Sequence, residues 1–133
     1  MRPSNTLGLR HLALTVSNLE DCVHFYRDLL GMRIEWQPDA DNVYLTSGVD
    51  NLALHRASKT FKKDKCQSLD HLGFILKTSE DVTQWCEYLR KEGVIIKAEP
   101  RKHRDGAASF HCQDPDGNLV QMMYHPPLSS LQQ

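Results

Sequence analysis

A chain of 133 residues is long enough for one domain with a sizeable core, and 40% apolar and 25% charged residues are ordinary for a globular protein. A formal net charge of −1 excludes a global field that would favour nucleic acid or a membrane surface. No apolar run approaches the roughly 20 residues that span a bilayer, and Met1-Arg2-Pro3-Ser4-Asn5 lacks the apolar core of a signal peptide, so the expected compartment is the cytoplasm.

Residues 9 to 16 alternate and carry Leu, Thr and Val, which predicts a strand. Ser17 or Asn18 caps a helix with Glu20 and Asp21 in its first turn. Leu19, Cys22, Val23, Tyr26, Leu29 and Leu30 recur at helical spacing, and Gly31 closes the helix. Three strand-like runs follow, about 32 to 37, 42 to 47 and 51 to 56, with turn chemistry at Pro38-Asp39 and Ser47-Gly48. Residues 58 to 67 form a linker in which Lys59, Lys62, Lys63 and Lys65 read as a solvated basic stretch.

The second half repeats the order. A strand runs from about 69 to 77, and Ser79 caps a helix with Val82, Trp85, Cys86 and Leu89 as its buried stripe and Gly93 at its end. Strands follow near 94 to 98, 107 to 113 and 118 to 125, the last two joined as a hairpin by Asp114-Pro115-Asp116-Gly117. His11 and His71, Glu20-Asp21 and Glu80-Asp81, and Leu29 and Leu89 all recur at an offset of 60 residues. Such self-similarity marks a duplicated supersecondary unit. The expected fold is a single α+β domain of two tandem βαβββ units, 8–57 and 68–126. A histidine at matched places in both copies suggests one site built between them.

Cys22, Cys66, Cys86 and Cys112 contain no CxxC pair. Cys22 and Cys86 fall on apolar helix faces, Cys66 falls in the linker, and all read as reduced structural thiols.

Four stretches carry a resemblance: His11-Leu12-Ala13-Leu14-Thr15-Val16, Phe25-Tyr26-Arg27-Asp28-Leu29-Leu30-Gly31, Asp70-His71-Leu72-Gly73-Phe74 and Asp114-Pro115-Asp116-Gly117-Asn118. Over roughly residues 8 to 125 the chain resembles the vicinal oxygen chelate superfamily, which includes glyoxalase I, fosfomycin-resistance transferases, extradiol dioxygenases and bleomycin-resistance proteins. The resemblance implies curled mixed sheets enclosing a cup-shaped metal site. It implies His11 and His71 as first-strand ligands, Gln121 as the last-strand ligand, and Ala53, which cannot bind a metal, at the fourth position.

Imidazole suits Zn, Ni, Fe or Mn, and two histidines with an amide oxygen leave positions open for a chelating substrate. His55 shares the strand face of Ala53 and reaches the metal or its substrate. Alternation places Ser109 and His111 opposite Phe110 and Cys112, so His111 is a candidate general base or substrate donor. The resemblance further implies that Ser109, Ala53 and Met123 line the substrate cavity and that Arg101 or Arg104, in the loop that carries cationic contacts in fosfomycin-resistance proteins, holds an anionic group by charge-assisted hydrogen bonds. His24, His103 and His125 read as surface or hinge residues.

Gln121 has no charge and no basic function, which disfavours glyoxalase-type isomerisation and ring-cleaving dioxygenation. Thiol transfer, with glutathione or another thiol as co-substrate, survives that substitution best. The expectation is a divalent-metal enzyme acting on a small oxygen-bearing molecule, working as a homodimer with neither nucleic acid nor membrane as partner. The alternative from another class is a metal-free, drug-sequestering protein of the bleomycin-resistance type.

Overall fold

A computed structural model describes residues 2, 5, 7, 9–62 and 69–130. The chain divides into two compact units, Met1–Lys59 and Thr60–Gln133. In the first, strand β1 (His11–Val16) leads into helix α1 (Leu19–Val23), which continues as a π-helix (His24–Leu29). Strands β2 (Arg33–Asp39), β3 (Asn42–Thr46) and β4 (Asn51–Arg56) follow. The second unit runs β5 (Leu72–Ile75), α2 (Ser79–Lys91), β6 (Ile96–Lys102), β7 (Ala108–Gln113), β8 (Leu119–Tyr124) and a short α3 (Pro126–Ser129). The two sheets have matching orders, β1-β4-β3-β2 and β5-β8-β7-β6. In each, the first strand pairs parallel with the last, and the other pairs are antiparallel. The βαβββ repeat is therefore present in both halves. No helix among the described residues is long and apolar enough to cross a membrane.

A parallel pair needs a long connection, and here the first strand reaches the last through two intervening strands, which are themselves reached by the helix. The helix covers one sheet face and leaves the other open. In the first unit Leu14, Val16, Val43, Leu45, Leu52 and Leu54 are buried together with Leu19, Cys22, Phe25, Tyr26 and Leu29 from the helix. In the second, Phe110, Cys112, Val120 and Met122 are buried with Val82, Cys86 and Leu89. Fully burying one such side chain contributes about 1.5–3 kcal/mol.

The first helix departs from the expected spacing. Leu30 N–H reaches back five residues to the Phe25 carbonyl at 3.0 Å, and the wider turn buries two consecutive aromatics. The Phe25 and Tyr26 rings meet edge to face at 4.9 Å. Phe25 replaces Val23 and Leu30, both only half-buried, in the buried stripe. In α2 the cap is Thr78 rather than Ser79: its hydroxyl accepts from Asp81 N–H while the Asp81 carboxylate accepts from Thr78 N–H. Trp85 is half-buried instead of core, resting edge to face on Tyr88 at 5.5 Å.

The expected strand at 69 to 77 is shorter, and His71 is the residue just before it. The expected strand at 94 to 98 is longer, so Arg101 lies on β6 and not in a loop. The Pro38-Asp39 turn falls instead at Ala40-Asp41, because Asp39 closes β2 by accepting from Asp41 N–H at 2.8 Å and from the Asn42 amide. The edge strands β2 and β6 each carry two register breaks, and Pro38 and Pro100 each fall in the second. Cys66, Lys63 and Lys65 lie outside the described residues.

Two outcomes test this packing. Phe110 is wholly buried, so Phe110→Ala should cost about 3–5 kcal/mol, read from urea denaturation midpoints at constant slope. Cys22, Cys86 and Cys112 are wholly buried, and burial with Asp114 and Cys86 nearby pushes the Cys112 thiol up to about 12. In a Cys66→Ser variant at pH 8, no thiol should react rapidly with a disulfide reagent until the protein is unfolded. Fast labelling of the native variant would contradict this core.

Candidate functional site

The open face of the first unit is set by register. His11 stands opposite Asn51, Ala13 opposite Ala53, and Thr15 opposite His55. Across the next pairs, His55 stands opposite Asn42, Ala53 opposite Tyr44, and Tyr44 opposite Trp36. His55 and Ala53 thus share a face, as alternation requires. His11 is exposed, and its Nδ1 meets Asn51 Oδ1 at 2.7 Å. His55 Nδ1 meets Asn42 Oδ1 at 2.6 Å. An amide oxygen only accepts, so both rings donate from Nδ1 and present Nε2 as a free lone pair. Trp36, 57% exposed, stacks on Tyr44 at 5.0 Å, and Tyr44 meets His55 edge to face at 5.9 Å. Ala53 is buried and contributes only floor.

The open face of the second unit begins with a turn. The buried Asp114 carboxylate accepts from Asp116 N–H at 2.9 Å, Asn118 N–H at 2.8 Å and the Asn118 amide at 2.9 Å. That turn fixes the β7–β8 register, which sets His111 opposite Gln121 and Ser109 opposite Met123. The parallel β5–β8 pair sets Gln121 opposite Gly73. A Cβ at Gly73 would come within 3.4 Å of the Gln121 carbonyl oxygen, so glycine lets the strands approach and leaves the face clear between His71 and Gln121. His71 Nδ1 meets Asp70 Oδ2 at 2.6 Å, again leaving Nε2 free. The His71 and His111 rings lie 5.7 Å apart at 82°. Burial, with His71 and His103 nearby, holds the His111 imidazole below its ordinary value, which favours the neutral ring.

The predicted cavity residues divide. Ser109 is buried, and its Oγ lies 2.9 Å from His103 Nε2. His103, expected at the surface or a hinge, is half-buried and holds that hydroxyl. Met123 is half-buried on the same face, while Arg101 is exposed on β6 opposite Ser109. Arg104 is exposed in the turn that follows. His24, on the π-helix, pairs with Asp28 at 3.0 Å and belongs to the surface. His125 is the N-cap of α3, and its buried Nδ1 has no hydrogen-bond partner among the described residues.

Sequence reasoning missed Asn42, Asn51, Asp70 and His103 as the groups that orient the site. Asp70 adjoins His71 and was visible in the motif, whereas Asn51 meets His11 only through a parallel pairing 40 residues away. Among the described residues no three His, Cys, Asp or Glu side chains cluster as a metal site. The donor set on these faces is histidine plus amide. Its chemistry still fits a divalent cation: imidazoles held at Nδ1 by an oxygen acceptor are how metal-ligating histidines are oriented.

Comparison with known proteins agrees with this architecture. The chain is 29% identical over 118 residues to the metallothiol transferase FosB of Staphylococcus epidermidis, covering 86% of this chain and 80% of that one. It is 28% identical over 115 residues to a manganese-dependent 2,3-dihydroxybiphenyl 1,2-dioxygenase of Geobacillus genomosp. 3, covering 86% of this chain and 35% of that one. The fold matches lactoylglutathione lyase from Agrobacterium tumefaciens with a TM-score of 0.76 at 18% identity, over 94% of this chain and 98% of that one. With residues 8–122 matching its family model, the chain belongs to the glyoxalase/bleomycin resistance protein/dioxygenase superfamily.

Proposed function

We propose that the protein is a divalent-metal-dependent thiol transferase acting on a small, oxygen-bearing electrophile. His11, His71 and Gln121 would hold the metal. The observation that carries the reading is shared by both units: the histidine that begins β1 or immediately precedes β5 has its Nδ1 engaged, by Asn51 or by Asp70, and its Nε2 without a partner among the described residues. Similarity to a metallothiol transferase supports the same class. The bound cation would supply Lewis acidity at the substrate oxygen.

The remaining chemistry belongs to the chain's own residues. In the transfer, the thiol sulfur bonds to the electrophilic carbon, the carbon–oxygen bond opens, and the thiol proton ends on the released oxygen. His55 would carry that proton, a role supported by its contact with Asn42, which engages Nδ1 and leaves Nε2 to accept. Arg101 gives a fixed positive charge for an anionic substrate group, and Arg104 lies in the adjoining turn. Gln121 cannot act as a base, which argues against an isomerase. The reading includes glutathione or another cellular thiol as co-substrate and a homodimer in the cytoplasm.

One observation favours a second reading. The exposed Trp36 stacked on Tyr44 offers an aromatic platform suited to sequestering a planar ligand without metal.

Calorimetric titration of metal-stripped protein with Ni, Mn, Zn and Fe(II) separates the two. Binding at about micromolar or tighter, lost in both His11→Ala and His71→Ala, is the outcome expected of the transferase. Binding that ignores both substitutions, or none at all, would sink it and leave the metal-free cup. In the loaded enzyme, His55→Gln should slow thiol consumption by about 10²–10⁴-fold while leaving metal affinity unchanged.

A further inference from the structure

We propose that His111 is itself a metal ligand, joining His71 and Gln121 so that the second unit supplies three donors. This rests on the metal-dependent reading above and adds a donor which that reading does not contain.

Three observations on one sheet face carry it. The His71 and His111 rings are neighbours at 5.7 Å, nearly perpendicular, with no side chain on Gly73 beside them. Gln121 stands directly opposite His111 across the hairpin. Asp70 engages Nδ1 of His71 and leaves Nε2 free, while neither the His111 ring nor the Gln121 amide has a hydrogen-bond partner among the described residues. Half-buried polar groups ordinarily find partners. Here two neighbouring imidazoles and the amide of the residue paired with one of them are all available as donors.

The donor chemistry names the cation class. Together with His11, a neutral set of three nitrogens and one oxygen lacks the carboxylate that hard ions such as Mn²⁺ favour. Imidazole-rich sites suit Zn²⁺, Ni²⁺ and Cu²⁺. His111 thus offsets, in ligand number, the charge that Gln121 does not bring, and shifts selectivity away from manganese.

The test uses the full chain, stripped of metal and titrated calorimetrically with Zn²⁺ and with Mn²⁺. Wild-type protein should bind Zn²⁺ at least about tenfold more tightly than Mn²⁺, and His111→Ala should lose at least about tenfold in Zn²⁺ affinity, since even outer-shell partners act on that scale. A second measurement needs no variant: in wild-type protein, Zn²⁺ should shift the NMR signals of both the His71 and His111 rings. Wild-type Zn²⁺ affinity in folded His111→Ala, or an unmoved His111 signal while His71 shifts, overturns this proposal and leaves the metal-dependent reading intact. Failure of wild-type protein to bind any metal overturns both.

Discussion

The parallel pairing of the first strand with the last in each unit is the constraint on which the site depends. Parallel neighbours cannot be joined by a tight turn, so the chain leaves the first strand through a helix that lies on one face and returns to it through antiparallel strands. Once it does, that face takes Leu, Val, Phe and Cys, and the opposite face is released from packing. The same pairing decides which side chains meet there. It sets His11 against Asn51 in one sheet and Gln121 against Gly73 in the other. A slip of one residue would turn every donor into the core.

The two units share a scaffold and differ in the chemistry laid upon it. The first ends its open face in an aromatic row, Trp36, Tyr44 and His55. The second ends in imidazoles, an amide and a buried hydroxyl. The orienting groups differ too. Neutral amides hold His11 and His55, whereas a carboxylate holds His71. The Asp70 carboxylate thus brings beside the open face of the second unit a negative charge that the amides of the first do not.

Much of this was legible in the sequence because it is local. The alternation through His111 and the Asp114–Asn118 turn follow from spacing within a dozen residues, and the repeat is a set of such local patterns met again 60 residues on. Those features gave the repeat, the faces and the hairpin register. What escaped was long-range or depended on competition between packing choices. The π-helix exists because Phe25 and Tyr26 are both buried, which a 3.6-residue period does not anticipate. Asn51 and Asn42 orient histidines across strand pairs, and no local pattern marks them. His103 looked like loop surface because its partner, Ser109, lies on the next strand. Arg101 moved from loop to strand because β6 runs on through Pro100.

Those prolines bear on how the chain behaves in a crowded solution. An edge strand offers a row of unpaired N–H and C=O groups to any other strand that drifts past. Proline removes one donor from that row, and a bulge throws the rest out of step. With Pro38 in β2 and Pro100 in β6, each set inside a register break, the β2 and β6 edges are poor templates for strand addition. Each unit thus carries at one rim its own guard against the edge-to-edge pairing that begins aggregation.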